Sequence, residues 1–163
     1  MKKFQLRSEI LVARSLGETF EFFENAANLS KITPHWLGFQ VLTKDPVMRK
    51  GLEIDYRFKW LGFPMTWRTL ITEYAPPFLF EDIALNGPYA LWEHRHTFRP
   101  SGSGTIVGDL VTYALPLGII GELAHGLIVH KQVTGIFKYR QQILSRLLGS
   151  VIEIQQPVIT APM

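Results

Sequence analysis

The chain has no cysteine among its 163 residues, which excludes a disulfide scaffold, a thiolate metal site and a cysteine nucleophile. A reducing, cytoplasmic compartment is the natural one for such a composition. Long apolar runs are also missing. The most apolar stretch, Ala114 to Gly121, ends at Glu122, far short of the ~20 residues that span a bilayer. The opening Met1-Lys2-Lys3 is followed by Gln5, Arg7 and Glu9, which interrupt the apolar segment of an export leader. No transmembrane segment and no leader are expected. An excess of one charge sign is lacking too: 17 Lys and Arg stand against 14 Asp and Glu, scattered from Lys2 to Arg146, so no nucleic-acid partner is expected. Internal repeats and low-complexity linkers are absent, and no Gly-x-Gly-x-x-Gly follows a strand, so no cofactor is expected.

What is present is apolar residues, 47% of the chain, enough for one core in one domain. From Phe4 to Val12 the residues alternate, with Phe4, Leu6, Ser8, Ile10 and Val12 on one side, as in a half-buried strand. Ser15 and Glu18 have capping-box spacing and predict a helix over about Leu16 to Ala26. A second short helix is expected over Asn28 to Ile32, stopped at Thr33-Pro34. Glycine and proline punctuation then divides the chain into strand-sized intervals. In the clearest, Ile54, Tyr56, Phe58 and Trp60 oppose Glu53, Asp55, Arg57 and Lys59. Another sets Met65, Trp67, Thr69 and Ile71 on one side, and a third sets Trp92, His94, His96 and Phe98 against Glu93, Arg95, Thr97 and Arg99. The interval Thr105 to Leu115 is apolar on both faces.

From about Ile119 to Leu148 there is no proline, and Leu123, Leu127, Ile136, Ile143 and Leu147 recur at helical spacing. Such a helix would be about 45 Å long. The glycines Gly121, Gly126 and Gly135 within it point either to close backbone approach or cavity space, or to a bent or frayed first turn around Gly118 and Gly121. The remainder, 150–163, with two prolines and little periodicity, reads as a flexible tail, so the domain covers 1–149.

Strand, helix, short helix, six or seven strands with hairpin links and a long helix make an α+β class with an antiparallel sheet. Tyr56, Phe58, Trp60, Trp67, Thr69, Trp92, Phe98, Val111 and Tyr113 would share the inner face with Leu123 and Leu127 of the helix. The same face holds His94, His96 and Asp109. Buried polar groups without partners cost roughly 1–3 kcal/mol each, so mutual pairing or a cavity is expected. A register with Phe98 opposite Val107 puts His96 opposite Asp109 and Trp92 opposite Tyr113; a shift by two pairs His94 with Asp109 instead. Either leaves one imidazole free.

The element order resembles the SRPBCC superfamily, the START, polyketide-cyclase and pollen-allergen group. So do Ser15 to Phe23, Trp36-Leu37-Gly38-Phe39, the run from Gly87 to Phe98 and the run from Asp109 to Gly118. The resemblance covers about residues 3–148. It implies a helix-grip fold, a curved sheet around a long C-terminal helix with a deep hydrophobic pocket between them. Some relatives carry dehydrogenase-like domains, which makes a dehydrogenase-like partner, or a homodimer, a further expectation. No catalytic motif transfers residue by residue.

The preferred function is binding, transport or presentation of a lipid, isoprenoid quinone or polyketide-like aromatic, with the aromatics supplying area and His94, His96 and Asp109 fixing a polar end. The alternative is a cofactor-independent cyclase, dehydratase or isomerase. It would use a His-Asp pair from His94, His96 and Asp109, joined by Asp82, Glu73, Tyr56 or Tyr113. A third reading is a partner-binding domain without ligand, using Leu70, Leu91, Ile106 and Leu110 on the outer face. His94-x-His96 with Asp109 also has zinc-ligand spacing, but no fourth ligand can be named and no metal is assigned. His125 and His130 do not share a helix face. Trp36 either gates the mouth or packs on Phe39.

Overall fold

The computed structural model describes residues 1–102, 104–118, 121, 123, 125–149 and 151–161. Its strands are β1 (Phe4–Val12), β2 (Gln40–Val41), β3 (Glu53–Trp60), β4 (Phe63–Ala75), β5 (Leu79–Asn86), β6 (Leu91–Ser101), β7 (Gly104–Ala114) and β8 (Val151–Thr160). They form one curved sheet in the order β2-β3-β4-β5-β6-β7-β1-β8, each pair antiparallel. The helices are α1 (Leu16–Glu24), α2 (Ala26–Leu29) and the long α3 (His130–Leu147), which the sheet grips. This is the helix-grip arrangement.

Local signals account for the element ends. Ser15 accepts the Glu18 amide at 3.3 Å while Glu18 accepts the Ser15 amide at 3.1 Å, a complete capping box. The second helix starts earlier than the sequence predicts and ends at Leu29, because the Asn25 side chain caps the Ala27 amide at 3.0 Å.

Three expectations are corrected. Most of the segment read as a loose tail is a strand, since Val151–Thr160 pairs with β1 from Val12↔Val151 to Gln5↔Thr160. Its backbone groups satisfy the open edge of β1. Pro157 is tolerated because it falls in the register shift between Arg7↔Val158 and Glu9↔Gln155, on an edge strand. The sheet therefore has eight strands where six or seven were expected. The C-terminal helix is shorter than read: α3 has 18 residues, about 27 Å, preceded by a π-helical turn over His125–Val129. Of the expected start, Ile119, Ile120, Glu122 and Ala124 lie outside the described residues. At Gly121 a Cβ would collide with the Pro116 carbonyl, so close approach accounts for that glycine.

The π turn has a further effect. It uses more residues per turn than an α-helix, so the phase counted through Leu123 and Leu127 is not the phase of α3. Leu123 and Leu127 are 64% and 72% exposed, and Val133, Phe137, Arg140 and Leu144 form the buried stripe instead. Among the described residues no helix is long and apolar enough to cross a membrane.

The core has a packed half and an open half. Over β7 and β1, Val129, Val133 and Phe137 pack on Phe4, Leu6, Val111 and Tyr113. Leu144 and Leu148 join Ile10, Phe20, Phe98 and Val107. Over β3–β6 the helix stands off from the sheet.

Candidate ligand-binding site

The space left there is a cavity of about 190 Å³. Alternation along β3 and β4 aims Ile54, Tyr56, Phe58, Trp60, Trp67, Thr69 and Ile71 into it, and β5 and β6 add Phe80, Asp82, Trp92, His94 and His96. Trp67 and Trp92 meet edge to face at 5.2 Å, a favourable aromatic geometry. Phe22, Phe23 and Ala26 of the first two helices, with Leu37 and Phe39, close one side, and Gln132, Val133, Ile136, Phe137 and Arg140 of α3 close the other.

Of the residues named from sequence, Tyr56, Phe58, Trp60, Trp67, Thr69, Trp92, His94 and His96 border this cavity. Phe98 does not, because it is packed between Phe20 at 5.2 Å and Phe23 at 5.3 Å. Val111 and Tyr113, both fully buried, lie under α3. Leu123 and Leu127 face solvent. Asp109 sits behind the histidines and not on the cavity wall. Glu73 is on the outer face, paired with Arg95 at 2.9 Å. Trp36 packs edge to face on Tyr139 at 5.4 Å and not on Phe39, which meets Tyr56 at 5.0 Å. On the outer face Ile106 is buried and Leu70, Leu91 and Leu110 are half-buried, and the Arg95 ion pairs with Glu73 and Glu81 cross the same face.

The polar end of the cavity is built by register. His96 is opposite Asp109 and Trp92 opposite Tyr113, the first of the two registers considered, and Asp82 is the β5 partner of His94. One expectation is corrected here: neither imidazole is free. His94 Nε2 lies 2.9 Å from Asp109 Oδ1. His96 Nδ1 faces the same oxygen at 3.2 Å, off the line of a hydrogen bond, and His96 Nε2 is 3.6 Å from Asp82 Oδ2. Asp82 also accepts the Thr69 hydroxyl at 3.1 Å. Arg140 Nη1 approaches Asp109 Oδ1 at 3.5 Å.

These contacts set the charges. Burial pushes the Asp109 carboxyl up, but the two imidazoles and Arg140 outweigh it and hold the group well below the usual range. Asp82 is lowered in the same way against its burial, chiefly by His96. Burial, aided by the neighbouring His96, pushes His94 down to about 4 despite Asp109. For His96 burial acts downward too, yet hydrogen bonding and attraction from Asp109 and Asp82 win and raise it. The two rings are 3.7 Å apart, too close for both to be charged. His96 is therefore the ring that takes up a proton first, and a neutral His94 donates Nε2–H to the Asp109 carboxylate and keeps Nδ1 as an acceptor.

Asp82, His94 and His96 are the group that a metal ion would use, with one donor atom from each lying within 4.8 Å of the others. Two of these atoms, His96 Nε2 and Asp82 Oδ2, are 3.6 Å apart, while the two imidazoles are tilted by 39° and both face Asp109.

Arg140 was not anticipated. It is 7% exposed, borders the cavity, and its Nε and Nη1 are buried without a hydrogen-bond partner among the described residues. The signal was in the helix: Val133, Phe137, Arg140 and Leu144 keep the 4-3-4 spacing of a buried stripe, with one charge in it.

A sequence model of the family described as "Polyketide cyclase / dehydrase and lipid transport" matches residues 12–153. Protein CV1439 from Chromobacterium violaceum is 13% identical with a TM-score of 0.69, over 88% of this chain and 96% of that one. Ara h 8.0201 is 12% identical with a TM-score of 0.55, over 88% and 99%. A nucleoside-diphosphate sugar epimerase from Corynebacterium glutamicum is 19% identical with a TM-score of 0.60, over 86% of this chain but 28% of its own. At these identities the likeness is one of fold. No curated protein matches the chain.

Proposed function

Since the chain belongs to the polyketide cyclase / dehydrase and lipid transport family, we propose that it binds a hydrophobic small molecule in the cavity between sheet and α3, for carriage or presentation in the cytoplasm. The observation that carries this reading is the cavity itself: about 190 Å³, walled by aromatics and ended by a single polar cluster. Apolar walls with few convergent polar groups are what ligand sites present. Lipids, isoprenoid quinones and polyketide-like aromatics are the classes in view. Native mass spectrometry of the protein from its own host, followed by organic extraction, tests it. A stoichiometric apolar ligand is expected; an empty protein that also fails to bind a panel of those three classes overturns the reading.

A second reading has one observation in its favour. Neighbouring imidazoles with affinities for protons pushed apart, His94 downward and His96 upward, form the acid and base pattern of proton-transfer sites. A cofactor-independent cyclase, dehydratase or isomerase would use neutral His94 as acceptor and His96 as donor. His96→Ala separates the two: moderate loss of affinity under carriage, loss of turnover with affinity retained under catalysis. A dehydrogenase-like partner, or a second copy of the chain, remains part of the proposal. The epimerase neighbour, which devotes about a quarter of its length to this fold, supports the former.

A further inference from the structure

We propose that Arg140 is the anion-recognition residue of the cavity and that the occupant is a monocarboxylic acid on a compact aromatic body of one or two fused rings. This rests on the cavity being a site for an apolar small molecule.

The argument begins with the guanidinium. Arg140 is held on the buried stripe of α3, with its head 4.9 Å from the Phe137 ring centre. Its Nε and Nη1 have no hydrogen-bond partner among the described residues. Among the described residues the anion paired with it, Asp109 Oδ1 at 3.5 Å, is beyond the ~2.7–3.2 Å of a hydrogen bond. That oxygen already receives His94 at 2.9 Å and faces His96 at 3.2 Å. A buried guanidinium with unmatched N–H groups is costly. A carboxylate, with two oxygens and in-plane lone pairs, matches it better than any neutral oxygen.

The cluster also limits the charge of the ligand. Asp109 stands beside Arg140 as a carboxylate, so part of the guanidinium charge is already offset and a dianion such as a phosphate monoester would bring twice the like charge against it. A monoanion is the fitting head. Volume favours a compact body: an apolar cavity of about 150 Å³ holds benzene, so about 190 Å³ accommodates a ring system. Trp67, Trp92 and Phe58 offer it aromatic faces and edges.

The test titrates the intact protein at neutral pH with 2-naphthoic acid, its neutral isostere 2-naphthamide, and naphthalene, read by quenching of the cavity tryptophans and by calorimetry. The wild type is expected to prefer acid to amide by at least tenfold, and in Arg140→Gln that ratio falls to about one. Arg140→Lys, which keeps the charge but not the fork, gives an intermediate ratio and serves where the Gln variant does not fold. Equal binding of acid and amide by the wild type overturns the role of Arg140 and leaves the apolar site standing. A preference that persists in both variants overturns it as well. Failure of all three probes to bind removes the apolar site itself, and this inference with it.

Discussion

The two halves of the inner sheet face obey the same period-two rule and end differently. Over β1 and β7 the inward residues are largely aliphatic, and α3 reaches down to leave Leu6, Val111 and Tyr113 without exposure. Over β3–β6 the inward residues are large rings and polar groups, and the same helix bridges them at a distance, leaving the cavity. Alternation therefore dictates facing, while the size and chemistry of the facing residues decide whether a helix can close on them. Aliphatic side chains interdigitate with a helix stripe. Rings already braced against each other, Trp67 on Trp92 and Phe58 on Trp67, hold the helix off.

The contrast is broken most strongly by exchanging the roles of one ring from each half. Tyr113→Ala removes a fully buried ring from the packed half and is expected to cost about 4 kcal/mol, measured by chemical denaturation. Trp67→Ala, at the cavity wall and half-buried, is expected to cost less than half as much while weakening naphthalene binding at least fivefold. Equal stability losses would show that the cavity half is packed as a core. Next in size is Asp109→Asn. It leaves Arg140 and His96 facing each other across a lost carboxylate, and breaking a buried pair from one side costs about 3 kcal/mol or more. The same substitution at Asp55, whose ion pair with Arg68 is exposed, should leave the denaturation midpoint nearly unchanged.

Strand facing was legible in the sequence in both halves: β1, the capping box at Ser15 and the alternation of β3 and β6 follow from period and spacing, while the β6–β7 register was narrowed to two, of which the one placing His96 opposite Asp109 is found. What was not legible depends on phase and on edges. The helical count through Leu123 and Leu127 ran across a π turn that no pattern marks, and so it displaced the stripe and hid Arg140. β8 was missed because prolines were weighed as breakers, when an unpaired edge of β1 with a bulge accommodates one. The polar cluster was half visible. His94, His96 and Asp109 share a face by alternation, but the part played by Asp82 depends on pairing of β5 with β6, and Arg140 arrives from the other side of the cavity. Cavity volume leaves no mark in periodicity at all.

The smallest effect is the most specific to the open half. His94 is neutral in the fold with its proton affinity at about 4, against about 6.5 in the unfolded chain. Between those values the unfolded state carries a proton that the native state does not, so stability falls as the pH is lowered through that window. The other groups facing His94 do not mask this. His96 is raised, so its contribution grows slightly as the pH falls through about 6.5, opposite in sign to that of His94, and is lost at higher pH. Asp82 and Asp109 are lowered, and their contributions are lost only as the pH falls toward and below about 3.9. From pH 6.5 to 5 the wild type should therefore lose about 1 kcal/mol, and His94→Asn, which retains a donor toward Asp109 without a titrating ring, should flatten the slope. An unchanged slope in that variant would assign the proton uptake to a group outside the cavity, and with it the neutral state of His94 would fall.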